Sequence, residues 1–231
     1  SVNPVFVLPG LTGDGVSDFA SELVGSATLG VGQFCTNPGI VFHPDGSFGE
    51  RLVSEYVGKI KEISPCPMLH PGIRDSYMAG IDHLAEIEGV EIAYRSENSD
   101  GAGGCDVGPC VLTVTLADFM ASDKICEEVF GPSTLLVAYS TAHQLLDVVQ
   151  KLEGQLTASL FGENADLEVN AELIDLLETK VGRLLFNQFP TGVEVCGAIV
   201  HGGPYPATTD GQSTSVGESA IYRFARPVCY Q

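Results

Sequence analysis

Thr134-Leu135-Leu136-Val137-Ala138-Tyr139 is an almost unbroken apolar run, and the residues after it change period. From Thr141 the apolar positions Leu145, Leu146, Val148, Val149 and Leu152 recur at helical spacing. Leu156-Thr157-Ala158-Ser159-Leu160-Phe161 then reads as a second strand. Leu173, Ile174, Leu176, Leu177 and Val181 mark a helix over 171–181, and Arg183-Leu184-Leu185-Phe186 a third strand. A strand with one wet face alternates polar and apolar residues; these runs barely alternate, so both faces must be covered. Strand, helix, strand, helix, strand with near-continuous apolar strands predicts an α/β fold built on a largely parallel sheet flanked by helices.

Working outward, the same alternation fills the chain. Val5-Phe6-Val7-Leu8, Ile40-Val41-Phe42, Val90 to Tyr94 and Val111 to Thr115 read as strands. Phe48 to Ile63 and Pro71 to Ile87 carry one apolar face each, as helices packed on a sheet require. Past Asn187 the pattern loosens. Val193-Glu194-Val195 looks strand-like, and residues 201–219, rich in Gly, Pro, Ser and Thr, predict a long loop of the kind that carries binding groups over a rigid scaffold. The 231 residues suit one large domain or two small ones.

Thirty acidic and 11 basic residues leave a net charge of −19, which repels a phosphate backbone and argues against nucleic-acid binding. An anionic ligand would need backbone amides or one of a few cations such as Lys59, Lys61, Arg74 and Arg95. No apolar run approaches the ~20 residues of a membrane span. The seven cysteines contain no CxxC pair and no zinc-ligand spacing, so they read as free thiols of a reducing compartment, the cytoplasm, with no metal site. Cys66, between two prolines, reads as a packing residue. His70, His83 and His143 fall in or near helical patterns without ligand-spaced partners; His43 and His201 fall in loop-like contexts, and His201 is placed to line a substrate entrance. The turn around Gly103 and Gly104 lacks the Lys-Ser/Thr helix start of a phosphate cradle.

One cysteine differs from the rest. In Gly32-Gln33-Phe34-Cys35-Thr36-Asn37-Pro38-Gly39 the thiol sits in a turn between a helical segment and a strand, where glycines allow close approach and backbone N–H groups are at hand. Gly-Gln-x-Cys-Thr resembles the nucleophile motif of the aldehyde dehydrogenase superfamily. Glu127-Glu128-Val129-Phe130-Gly131-Pro132 resembles the coenzyme-contact signature of that superfamily. Val2-Asn3-Pro4-Val5-Phe6, Gly182 to Asn187, Phe189 to Val195, His201 to Thr208 and the ending Arg226 to Gln231 are similar to one branch of it. That branch holds the α-ketoglutarate semialdehyde (2,5-dioxopentanoate) dehydrogenases and the NADP-dependent fatty aldehyde dehydrogenases.

The resemblance implies a three-layer catalytic domain over residues 1–231, a nicotinamide coenzyme (NADP, or NAD) and a homo-oligomeric parent. It makes Cys35 the nucleophile that takes up the aldehyde carbon. Glu128 would accept from the nicotinamide ribose and Phe130 would brace the ring, while Phe189 and His201 would border the substrate. In the superfamily an asparagine of a preceding coenzyme-binding domain and a glutamate that aligns just upstream of Ser1 complete the cycle, so the chain by itself is expected not to turn over. Two other readings stay open: a coenzyme-free cysteine hydrolase or acyltransferase, and a non-catalytic assembly domain.

Overall fold

The computed structural model describes residues 1–11, 15–97, 104–192 and 194–231. Strand β1 (Val5–Val7) leads through helix α1 (Gly15–Thr28) and a short 3-10 turn to β2 (Ile40–Pro44). Helix α2 (Gly46–Ile60), β3 (Cys66–Pro67), α3 (Pro71–Ala85), β4 (Glu91–Arg95) and β5 (Asp106–Val107) follow. Then come β6 (Cys110–Thr115), α4 (Leu116–Ala121), β7 (Ser133–Tyr139), α5 (Gln144–Lys151) and β8 (Gln155–Phe161). The chain closes with α6 (Asn164–Val169), α7 (Ala171–Glu178), β9 (Val181–Phe186) and α8 (Ile221–Phe224).

Seven strands form one sheet in the order β4-β6-β7-β2-β1-β8-β9. Every neighbouring pair is parallel except β4 with β6. β3 and β5 make a separate two-stranded antiparallel ribbon. Side chains on one strand point to opposite faces in turn, so both faces are apolar. Val5, Val7, Val41 and Leu136 pack under α1 and α2, against Phe19, Leu23, Leu52 and Tyr56. Phe6, Phe42, Leu112, Val137 and Leu160 face the other side, against helices that include α3, α4, α5 and α7. Phe6 stacks on Phe42 at 5.0 Å, and Phe119 of α4 meets the Phe42 ring edge-on at 5.1 Å. These are the three layers expected, helix on sheet on helix.

Several local expectations change. Val181 opens β9 rather than closing the preceding helix, because α7 ends at Glu178. The helix expected from Thr141 begins at Gln144, whose side-chain Oε1 accepts from the Ser140 and Thr141 N–H groups and holds the turn before it. His43 is no loop residue: it lies in β2, only 3% exposed, with its Nδ1 2.8 Å from the Pro44 carbonyl. Burial lowers its pKa, against the opposing pull of the Pro44 carbonyl and Asp45. Cys66 is exposed on the β3 ribbon instead of packed. Glu194 and Val195 are not strand and lie exposed; Val193 lies outside the described residues, as does Gly103. Residues 201–217 form the expected long loop.

Parallel strands share one amino edge, and this fixes where the site falls. Asn3 stands just before β1, Cys35 just before β2, the 127–132 segment just before β7, and Gln155 at the first position of β8. Open α/β sheets usually bind ligands beyond the carboxyl ends of their strands; here the candidate chemistry gathers at the opposite edge.

Candidate functional site

The Cys35 turn is built from backbone that few residues tolerate. Gly30, Val31 and Gly32 all have positive φ, at 56°, 60° and 65°. That left-handed run ends α1 sharply and swings Phe34 and Cys35 out of the helical path. At Gly32 the reason for glycine is also steric: a Cβ there would collide with the Gly131 carbonyl group and the Pro132 nitrogen. The Cys35 turn and the 127–132 segment therefore pack backbone on backbone. Asn37 adds a hydrogen bond across the same junction, donating from Nδ2 to the Gly131 carbonyl at 3.0 Å.

Asn3 locks the turn from the other side. It is fully buried, with φ 46°, and its Nδ2 donates to the carbonyls of Cys35 and Asn37 at 2.9 Å each. Its Oδ1 accepts from Thr157 Oγ1 at 3.1 Å. A buried amide that bridges three segments fixes each of them. The carbonyl of Cys35 is thereby taken, while its N–H donates to no group among the described residues and is free for a ligand.

The thiol itself is exposed, and its Sγ lies 3.2 Å from Nε2 of His201. His201 is held by its backbone: its N–H donates to Thr214 Oγ1 at 2.9 Å, and its carbonyl accepts from the Ser215 N–H and hydroxyl. Partial burial and the positive charge of Arg183 both lower the imidazole pKa, burial being the larger cause. A neutral ring has a lone pair to offer the thiol. Two other cysteines are poor rivals. Burial pushes the thiols of Cys110 and Cys126 up to about 12 and about 11, far from a reactive thiolate at neutral pH.

Glu128 and Phe130 occupy the adjoining segment, with 42% of the Glu128 side chain and 36% of Phe130 exposed. The Glu128 carboxylate lies 3.0 Å from the Ser1 nitrogen and lines a cleft of about 520 Å³ with Glu127, Gln155 and Pro206. Phe189 stands elsewhere. Its ring joins Phe19 and Phe161 in an aromatic cluster, at 5.1 and 4.6 Å, against α1 and the end of β8. The structure thus brings Cys35 and His201 into contact and sets Glu128 and Phe130 beside their turn, and it leaves Phe189 in packing. Among the described residues no group of three or more His, Cys, Asp or Glu is arranged for a metal ion.

Sequence reasoning had no hold on Asn3 or Arg183 as site residues. A polar residue directly before an apolar strand was the available signal for Asn3. For Arg183 it was a cation inside an otherwise apolar strand.

A doubly covered, mostly parallel sheet with an exposed thiol–imidazole pair at its amino edge defines an α/β fold. The aldehyde dehydrogenase family profile matches residues 1–205, and the chain belongs to that family. It is 42% identical over 231 residues to α-ketoglutaric semialdehyde dehydrogenase 2 of Azospirillum brasilense. It is 39% identical over 232 residues to the α-ketoglutaric semialdehyde dehydrogenase of Acinetobacter baylyi. In both cases all of this chain is covered but only 44% of the relative, so the chain spans less than half the length of these proteins. Among solved structures, the Δ-pyrroline-5-carboxylate dehydrogenase of Mycobacterium tuberculosis superposes with a TM-score of 0.78 at 19% identity, covering 96% of this chain and 40% of that one. The same enzyme bound with NAD gives 0.74, with the same identity and coverage. These likenesses establish the fold.

Proposed function

We propose that the full-length protein oxidises an aldehyde to a carboxylic acid with NAD(P), that residues 1–231 are its catalytic domain, and that Cys35 is the nucleophile. The observation that carries this reading is the exposed Cys35 thiol 3.2 Å from His201 Nε2, on a turn packed directly against the 127–132 segment. The semialdehyde dehydrogenases to which the chain is similar favour 2,5-dioxopentanoate as substrate and 2-oxoglutarate as product. Fatty aldehydes are the second choice. NADP is preferred over NAD, and a homo-oligomeric, cytoplasmic parent completes the proposal.

The residues present suit a nicotinamide coenzyme. Glu128 offers an exposed carboxylate to ribose hydroxyls, and Phe130 a half-open ring face beside the nucleophile turn. When bound, the coenzyme supplies the hydride acceptor. The chain's own part comes first. His201 Nε2 takes the proton as the S–H bond breaks, and the Cys35 thiolate attacks the aldehyde carbon. The carbonyl π pair moves to oxygen, where the free Cys35 N–H can hold the charge. Asn3 contributes by keeping that peptide plane fixed through its carbonyl end.

The test is direct. Full-length protein mixed with 2,5-dioxopentanoate and NADP should give sustained formation of reduced coenzyme, and C35S should lower kcat by at least about a thousandfold. Undiminished turnover in C35S would sink the proposal. The same thiol–imidazole contact favours one second reading, coenzyme-free ester hydrolysis. That reading predicts release of phenol from an activated ester at full rate with no coenzyme present.

A further inference from the structure

We propose that Arg183 is a positioning residue for the nucleophile: its guanidinium clamps the 190–192 segment beside the Cys35 turn and sets a fixed positive charge next to the Cys35–His201 pair. The inference rests on Cys35 being the nucleophile. Arg183 pairs in register with Thr157, the residue whose hydroxyl donates to Asn3, so its side chain rises on the same face of the sheet at the same edge. One terminal nitrogen of Arg183 donates to the Pro190 carbonyl at 2.7 Å, and both reach the Gly192 carbonyl at 3.4 Å. Thr191, held between those two carbonyls, bonds through its hydroxyl to the Ser26 hydroxyl at 2.6 Å and approaches the Thr36 carbonyl at 3.5 Å. A chain of polar contacts therefore runs from β9 through 190–192 to the residue after the nucleophile.

The charge is held at some cost. Arg183 is half-buried, and its Nε has no partner among the described residues. Burial lowers its pKa, and the attraction of the Cys35 thiolate works against that lowering. The same guanidinium adds to burial in lowering the His201 pKa. Of the carboxylates in the neighbouring segments, Asp210 accepts from Ser213 and Gln212, Glu127 and Glu128 line the cleft beside the turn, and Glu194 and Glu218 are exposed. A fixed cation favours the thiolate and disfavours the imidazolium. A fixed cation beside the pair would thus favour loss of the Sγ proton through Nε2 to water.

Three variants of the full-length protein separate charge from geometry. R183K keeps the cation and loses the forked clamp; R183Q and R183M lose the cation. Two quantities are read: the rate of Cys35 alkylation by iodoacetamide at neutral pH, and the His201 titration midpoint by imidazole NMR. Removing the cation should raise the His201 midpoint toward its ordinary value and slow Cys35 alkylation about tenfold. R183K should keep the low midpoint and lose about threefold in rate. A purely structural arginine would leave the midpoint unmoved in the folded variants. Equal midpoints and equal rates in R183K and R183Q would overturn the inference even if R183M failed to fold. A wild-type Cys35 that alkylates no faster than exposed Cys66 or Cys196 would count against the nucleophile itself, and the His201 midpoints would still decide the role of Arg183.

Discussion

Asn3 ties the Cys35 turn to the start of β1 and to β8. Its amide donates to the two carbonyls on either side of Thr36, and its oxygen takes the Thr157 hydroxyl. Aspartate has the same shape and no donor. N3D would leave the Cys35 and Asn37 carbonyls unmatched and face them with an acceptor, which should cost about 3 kcal/mol in urea unfolding. A loss below about 0.5 kcal/mol would show that the turn is held some other way. This role was not legible in the sequence. Val2-Asn3-Pro4 shows a polar residue ahead of a strand, and nothing local says that its partners lie more than 30 residues away. Cys35 was legible because its neighbours Gly32, Gln33 and Thr36 are themselves unusual. The Cys35–His201 contact was not, because the two residues meet only after the long loop folds back over the sheet.

At the scale of elements, the strands and the larger helices follow from the apolar pattern, because burial on both faces of a parallel sheet leaves a continuous signature. The errors fall at boundaries and at short pieces. His43 looked like loop because a polar residue ends an apolar run, yet its ring is buried beside Gly49 of α2 with its Nδ1 near a carbonyl. Glu194 and Val195 looked like strand from alternation alone. The junction between the Cys35 turn and the 127–132 segment depends on Gly32. Alanine there would adopt a left-handed conformation and meet backbone atoms that cannot swing aside. G32A should cost about 2 kcal/mol or more in stability and slow Cys35 alkylation about tenfold or more, because the two segments must separate. An alkylation rate equal to wild type would mean that the contact does not position the thiol.

At the scale of the molecule, the arrangement turns on which edge of the sheet is used. Six strands point the same way, so the residues at the starts of four of them converge without further design: Asn3, Cys35, the 127–132 segment and Gln155. Arg183 joins from the last strand, and His201 from the loop beyond it. The central claim is that this edge presents Cys35 to an aldehyde carbon. It is tested most directly by quenching the full-length protein in acid during turnover of 2,5-dioxopentanoate with NADP and locating the bound acyl group by peptide mass spectrometry. The account predicts an acyl adduct on the peptide containing Cys35, absent in C35S. Turnover with no adduct on that peptide, or with the adduct on another cysteine, would contradict it.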